Sequence, residues 1–494
     1  MNTGDTHAAV GDADKIPLKE KLLYGAADLF GGGHNTILSI ILLYFFTDII
    51  GIDPVLAGTV FLISKLWDAV IDPMLGSVSD NTRSKFGRRK PFILLGAVLI
   101  IPAYAFLFAP IQGFDSQTAK IVFAISAYLF YCTVASLSQV PFMSMSSDIS
   151  SDFRERNSAN LVKLVFDMIS AGICFLIPTS LMDALQAGAI TQTTFYLVIV
   201  FGFGTVFSIP LAAAAFKVKE RTPIPEYKTK FDIKEWLSSF KIASYKYHIF
   251  MYITAFLCVD IVSALALYYV NDVLRGVMLA GKQIGSLYVI APMMVLAALI
   301  IPVCYVIMQK KSKQFAYRVG LPLYAVGAVL LACYNTAWPS YLIPVFACIM
   351  GLGVGGAQMM PWLVFPDTVD VAELKLGYRP TGAFSGAMTF SRTLSTAIAI
   401  QLVGIGLKIA GYRQSTSGQD IVQPPSALLA VRIMLGASVV VLLLLAFLAS
   451  MKYKVTDKKL ERVRYFNEHS RQKTDDLLTE EEKEEKQKLL KELC

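Results

Sequence analysis

The chain reads as an all-α membrane protein with twelve transmembrane helices in two bundles of six. Three observations lead there. Apolar stretches near the ~20 residues a bilayer requires recur along its length, with mean hydropathy +0.55 and 55% hydrophobic against 17% charged residues. A soluble chain of 494 residues would carry more charge and split into several domains. Basic residues crowd alternate short loops, and the longest internal loop divides the spans six and six.

Helical spans are expected at about 22–47, 56–79, 91–110, 119–142, 159–179, 195–216, 247–270, 284–308, 317–335, 340–365, 381–410 and 427–450. They define a cytoplasmic N-terminal tail (1–20), a bundle (21–216), a cytoplasmic loop (217–246), a second bundle (247–451) and a charged cytoplasmic tail (452–494). The first tail is polar, without the apolar core of a cleaved signal peptide, so the first helix is expected to target the chain. Lys15, Lys19 and Lys21 join the basic residues of loops 80–90, 143–158, 309–318 and 366–380, whereas the opposite loops hold little beyond Arg275, Lys282 and Arg413. Positive charge stays inside, so both termini are expected in the cytoplasm. The absence of N-x-S/T sequons favours a bacterial plasma membrane.

The net charge of +8 follows this loop topology and is not expected to bind nucleic acid. Six of the seven cysteines lie in apolar spans without metal or disulfide spacing. In loop 217–246, Ile233, Trp236, Leu237 and Phe240 recur as one face of a helix, lying on the membrane or packed on the bundles. Thr479 and Glu482 form a capping box for a tail helix expected to be solvated, with a regulatory contact as the alternative.

Two six-helix halves joined by a basic cytoplasmic loop describe the major facilitator architecture, whose pseudo-symmetric halves hold solute at mid-membrane. The internal repeat is faint: the basic loop 80–90 recurs only as QKKSKQ at 309–314.

Polar residues inside spans point to function, because an ionised side chain at the bilayer centre costs at least ~2.5–3.5 kcal/mol. The second span carries Lys65, Asp68 and Asp72 on one helical face. Two acids against one base leave negative charge unpaired, so Asp68 and Asp72 are the candidate cation ligands. The competing reading is a structural network with Lys65 that locks the helix to a neighbour. The loop that follows, with Asp80, Arg83, Gly87, Arg88 and Arg89, is read as a cytoplasmic gate.

Asp28, with Tyr24 one turn earlier, could accept hydroxyl hydrogens from a polar solute, and Gly31–Gly33 beside it permit close helix approach. Gln139 in the fourth span could orient a ligand or bond another helix. Lys163 and Asp167, four residues apart in the fifth, could face solute or neutralise each other. Arg392 in the eleventh span needs a carboxylate, with Asp260, Asp28, Asp68 and Asp72 as candidates. Trp362 offers a flat face for stacking a sugar ring, or plain packing. No GxxxxGK[ST], GxSxG or HExxH occurs, which disfavours an ATP-driven pump or an enzyme and leaves secondary transport.

Several stretches carry a resemblance. KLWDAVIDPMLGSVSDNTRSKFGRRKP, YGAADLF, SQVPFMSM, RERNSANLVK and FPDTVDVAELKLGYRPTGAFSG are similar to those of the glycoside–pentoside–hexuronide:cation symporters, the melibiose-carrier group, over roughly 20–450. The wide spacing of Asp80 and Gly87 is typical of that group. The resemblance implies symport of a sugar, glycoside or uronide with H⁺, Na⁺ or Li⁺, without a cofactor or any metal beyond transported Na⁺. It assigns the cation to Asp68 and Asp72, and the sugar to Asp28 and Lys163. Gln139 stands where melibiose carriers have an acid, which favours H⁺. Arg392 or Thr393 matches their Lys, and Asp260 replaces an amide. A monomer working with a small sugar, a monovalent cation and the lipid bilayer is expected. The competitors are a carrier of a lipid or amphipathic solute and a sugar sensor that transports nothing.

Overall fold

The computed structural model describes residues 15–494 except 151–152, 222–238, 280, 379–380, 415–420 and 472–477. Most of the amphipathic segment expected at 233–240 therefore lies outside the described residues. The chain is nearly all helix and divides into two compact units.

The first unit holds α1 (Leu18–Ala27), α2 (Leu29–Ile37), most of α3 (Pro54–Asn81), α4 (Lys90–Leu107), α5 (Gln117–Asp148), α6 (Phe153–Gln186), α7 (Gln192–Leu197) and α8 (Gly204–Lys217). The second contains α9 (Ala243–Tyr268), a hairpin of β1 (Met278–Leu279) and β2 (Lys282–Gln283), α10 (Ser286–Lys310), α11 (Lys313–Ala332), α12 (Leu342–Leu376), α13 (Thr381–Ile409), α14 (Pro425–Ile433) and α15 (Val439–Lys452). Two tail helices, α16 (Asp457–Arg471) and α17 (Glu480–Leu493), complete it. Residues Asp53–Leu62, at the start of α3, cluster with the second unit.

Among the described residues, eleven helices are long and apolar enough to cross a membrane. The expected first span is present as a broken run. Asp28 separates α1 from α2, and π-helical turns at Leu38–Leu42 and Phe45–Ile49 follow. Such turns shift the register of side chains along a helix and recur at functional sites. The spans at 195–216 and 427–450 contain π turns as well.

Small residues set the closest approaches. Gly32 lies against the Asp167 backbone and Gly33 against Ser170 and Cys174, so α2 and α6 meet through the glycine triplet. In the second unit, a Cβ on Gly353 would land on the backbone of Tyr324 and one on Gly327 on that of Met350. Helices in lipid gain their affinity from such close packing.

The ends of the bundles are tied by charge. Gly87, at φ +126°, leaves the amides of Arg88 and Arg89 donating to the Glu220 carboxylate at 3.0 Å each. Arg89 also pairs with Asp80 at 2.8 Å, and Arg83 donates to the Asp80 carbonyl. Arg221 clasps Glu20 through two hydrogen bonds of 2.7 and 2.8 Å.

The tail helix expected to be solvated, α17, keeps most of its charged residues exposed and buries Leu489 and Leu493, whereas the helix before it is packed. α16 buries Leu460, Val463 and Phe466 and ties itself to the end of α12, with Arg464 on Asp370 at 2.8 Å and Asn467 on the Asp370 carbonyl. The amphipathic face hidden in a strongly charged sequence is the reason. The capping box of Thr479 and Glu482 opens α17, and all seven cysteines are unpaired.

Gly353→Val is expected to lower stability by about 1–3 kcal/mol through overpacking, read as a fall in unfolding temperature in detergent. Burial pushes the Glu20 carboxyl up, but Arg221 and the Lys219 amide outweigh it, leaving its pKa below the ordinary value. A depressed pKa stabilises above the unfolded value of about 4.3 and loses that contribution as pH falls through the folded one. The 217–221 strap should therefore become sensitive to pepsin as pH drops below about 4, and Glu20→Gln should remove the pH dependence.

Candidate functional site

Each unit holds buried polar side chains within its membrane-spanning helices. In the first, Asp28 sits at the junction of α1 and α2, where its backbone N–H closes α1 on Gly25. Its side chain is buried, with Lys163 Nζ at 3.9 Å. Lys163 also lies 2.9 Å from the Met143 sulfur and over the Phe142 ring. It turns to Asp28 across the α1–α6 contact, while Asp167, its neighbour on α6, packs on Gly32.

Gly31 makes room here: a Cβ there would press on Asp28 Oδ1 and Gln139 Nε2. Two oxygens at this point, Asp28 Oδ1 and Gln139 Oε1, are buried and accept no hydrogen bond. Buried acceptors are normally satisfied, so this is a place awaiting donors. Tyr24, expected to face the solute, is instead fully buried and donates to Asn160 at 3.2 Å. The ring of Phe142 covers it from α5.

Along α3, Lys65 Nζ pairs with Asp68 at 2.8 Å. Asp72, one turn on, is half-buried, with the Ser136 hydroxyl within hydrogen-bonding reach. The two acids are therefore not equivalent. Asp68 has a matched base, and Asp72 has a hydroxyl. His34 gives its Nδ1 to the Phe30 carbonyl at 2.6 Å and stacks on Phe30, which makes it part of the packing.

In the second unit, Arg392 of α13 grips Asp260 of α9 with two hydrogen bonds of 2.5 and 2.9 Å. This resolves which carboxylate it finds. The guanidinium also donates to Thr396 and lies 4.7 Å from the Phe256 ring centre. Thr393, the other residue of the pair, bonds the Thr389 carbonyl of its own helix and stays outside this network. Trp362 is 53% exposed and meets Tyr252 edge-on at 5.5 Å. The buried Tyr252 hydroxyl has no hydrogen-bond partner.

Ser136, Asn160, Tyr252, Phe256 and Thr396 were not singled out from sequence. Helical spacing held a signal for three of them. Tyr252, Phe256 and Asp260 run at i, i+4, i+8 on one face, and Thr396 follows Arg392 by four. Asn160 and Ser136 depend on cross-helix contacts, which no local pattern shows. Among the described residues no three His, Cys, Asp or Glu side chains gather as a metal site.

Buried charges facing one another across packed transmembrane helices define the class: a multi-pass membrane transporter of the major facilitator fold. The chain belongs to the MFS/sugar transport protein family, whose model matches residues 23–457. It is 26% identical to the uncharacterized symporter YjmB of Bacillus subtilis, over 90% of this chain and 94% of that one. It is 23% identical to the glucuronide carrier protein homolog of Escherichia coli, covering 89% and 93%. The isoprimeverose transporter of Lactiplantibacillus pentosus is also 23% identical, covering 82% and 83%. A proton-dependent oligopeptide transporter superposes with a TM-score of 0.61 at 13% identity, over 90% of this chain and 99% of that one, which shows the shared fold. These proteins are transporters, not enzymes.

Arg392→Ala would leave Asp260 buried without its base, a change costing about 3–5 kcal/mol at full burial and less here, where the guanidinium is partly exposed. Asp260→Asn/Arg392→Gln should recover most of the loss. The unfolding temperatures of the three purified proteins compare these outcomes.

Proposed function

We propose that the protein is a cation-coupled symporter that carries a sugar, glycoside or uronide by alternating access. The observation that carries this reading is the pair of buried, unsatisfied oxygens at Asp28 and Gln139. Sugar hydroxyls are the donors that would satisfy them, and Lys163 beside them offers donors to a ring oxygen, a hydroxyl or a uronide carboxylate. The names of the relatives, a glucuronide carrier homolog and an isoprimeverose transporter, support the same substrate class.

Asp72 is the carboxylate we assign to the coupling ion. Lys65 already balances Asp68, so loading and unloading a positive charge at Asp72 changes the charge of the α3 face by one. With Asp72 empty, that charge opposes the closing of the polar face against apolar surroundings. A bound H⁺ or Na⁺ relieves it and favours the sugar-loaded state. Gln139 supplies no second acid, which favours H⁺. The proposed setting is the bacterial plasma membrane, with the basic loops and both termini in the cytoplasm, and a monomer as the working unit.

Proteoliposomes test both parts. Counterflow of labelled glycoside should occur in the wild type and survive in Asp72→Asn, while accumulation driven by a pH or Na⁺ gradient should be lost in Asp72→Asn. Gradient-driven accumulation equal to wild type in that variant would remove Asp72 from coupling. Binding without counterflow would indicate a sensor. Exchange of lipid but of no sugar would indicate the amphipathic-solute carrier.

A further inference from the structure

A cavity of about 350 Å³ opens on the basic-loop side of the second unit, lined by none of the site residues described above. Two helix N-termini meet there. α11 begins at Ser312, whose hydroxyl caps the Phe315 amide at 3.1 Å. α16 begins after Thr456, whose carbonyl accepts the Leu460 amide. Residues from both starts line the cavity. The first turn of a helix presents N–H groups and the positive end of its dipole, a ready anion site.

Lys311, Lys313 and Lys458 also line it. The two carboxylates present do not reverse this charge. Asp367 is held by Lys313 at 2.6 Å and by Arg464 at 3.5 Å. Asp457 lies in the first turn of α16, where the helix dipole already offsets it. Lys311 and Lys458, both exposed, have no such claim on them among the ion pairs described.

An independent feature marks the same place. Tyr453 lines the cavity and is 3% exposed, yet its hydroxyl has no hydrogen-bond partner. A buried hydroxyl without an acceptor is rare because losing water is not repaid. The helix ends, the lysines and this hydroxyl are all donors. The volume falls in the range of small-molecule pockets, about 300–1,000 Å³.

We infer that this cavity binds a phosphate group, carried by a phosphorylated small molecule or a phospholipid headgroup, with Lys311, Lys458 and the two helix N-termini as its ligands. The site joins the end of α12 to the tail through Asp367 and Arg464, so its occupancy also fastens α16. This inference stands apart from the sugar reading, since it shares none of the site residues described above.

The full-length protein in neutral detergent is titrated with inorganic phosphate and with glucose 6-phosphate by calorimetry. Separately, it is placed in phosphatidylcholine nanodiscs with or without phosphatidic acid, and its unfolding temperature is measured. Saturable phosphate binding near one site per chain is expected, weakened about tenfold or more in Lys311→Gln/Lys458→Gln and several-fold in Tyr453→Phe. Tighter binding of glucose 6-phosphate points to a soluble ester. Stabilisation by phosphatidic acid that the lysine variant loses points to the headgroup. Both outcomes support the site. Absence of saturable phosphate binding together with no phosphatidic acid effect overturns it, as does binding in Lys311→Gln/Lys458→Gln equal to wild type. Sugar counterflow, unchanged in these variants, verifies that they are folded.

Discussion

Charge inside a low-dielectric slab must be matched, and that constraint organises both units. A lone ion there is costly, and an ion that loses its partner is costlier than a pair that was never formed. Lys65 with Asp68, Lys163 with Asp28 and Arg392 with Asp260 each answer this within their own unit. The pairs differ in grip. Arg392 holds Asp260 through a bidentate fork backed by Thr396 and an aromatic ring, an arrangement suited to permanence. Lys163 stands 3.9 Å from Asp28, beyond a direct hydrogen bond, and leaves Asp28 Oδ1 unsatisfied. That looseness suits the substrate role proposed for them, because a fully satisfied carboxylate has nothing to offer a ligand.

Backbone geometry brings these groups into range. The first span breaks at Asp28, between α1 and α2, which sets its carboxylate toward Lys163, and Gly31, lacking a side chain, lets the Gln139 amide come close. Every substitution of glycine in α2 would insert atoms where a neighbouring helix already stands. Close packing and an unsatisfied polar spot thus have the same origin: the missing side chains draw the helices together while leaving the buried carboxylate oxygen without a donor.

On the basic-loop side, charge acts in a wetter setting and works as a set of ties. Glu20 with Arg221, Glu220 with the Arg88 and Arg89 amides, and Asp370 with Arg464 each join segments distant in sequence. Exposed ion pairs contribute little singly. Here carboxylates accept several hydrogen bonds at once, which fixes geometry more than it adds stability.

Composition and loop charge determined the membrane class, the number of spans and the choice of polar residues, because hydrophobic length and the cost of buried charge act locally and leave their mark on a single chain. Partner choice was open until the helices packed. Arg392 had four candidate carboxylates, Lys163 could neutralise Asp167 or face solute, and Asp68 and Asp72 looked alike. Tyr24 looked free for solute when its hydroxyl belonged to Asn160. The covered face of Leu460, Val463 and Phe466 in the first tail helix had no counterpart in the sequence reading. Each of these depended on which side chain lies across a helix interface. Rotation and close approach of packed helices decide that, and no periodicity within one helix encodes it.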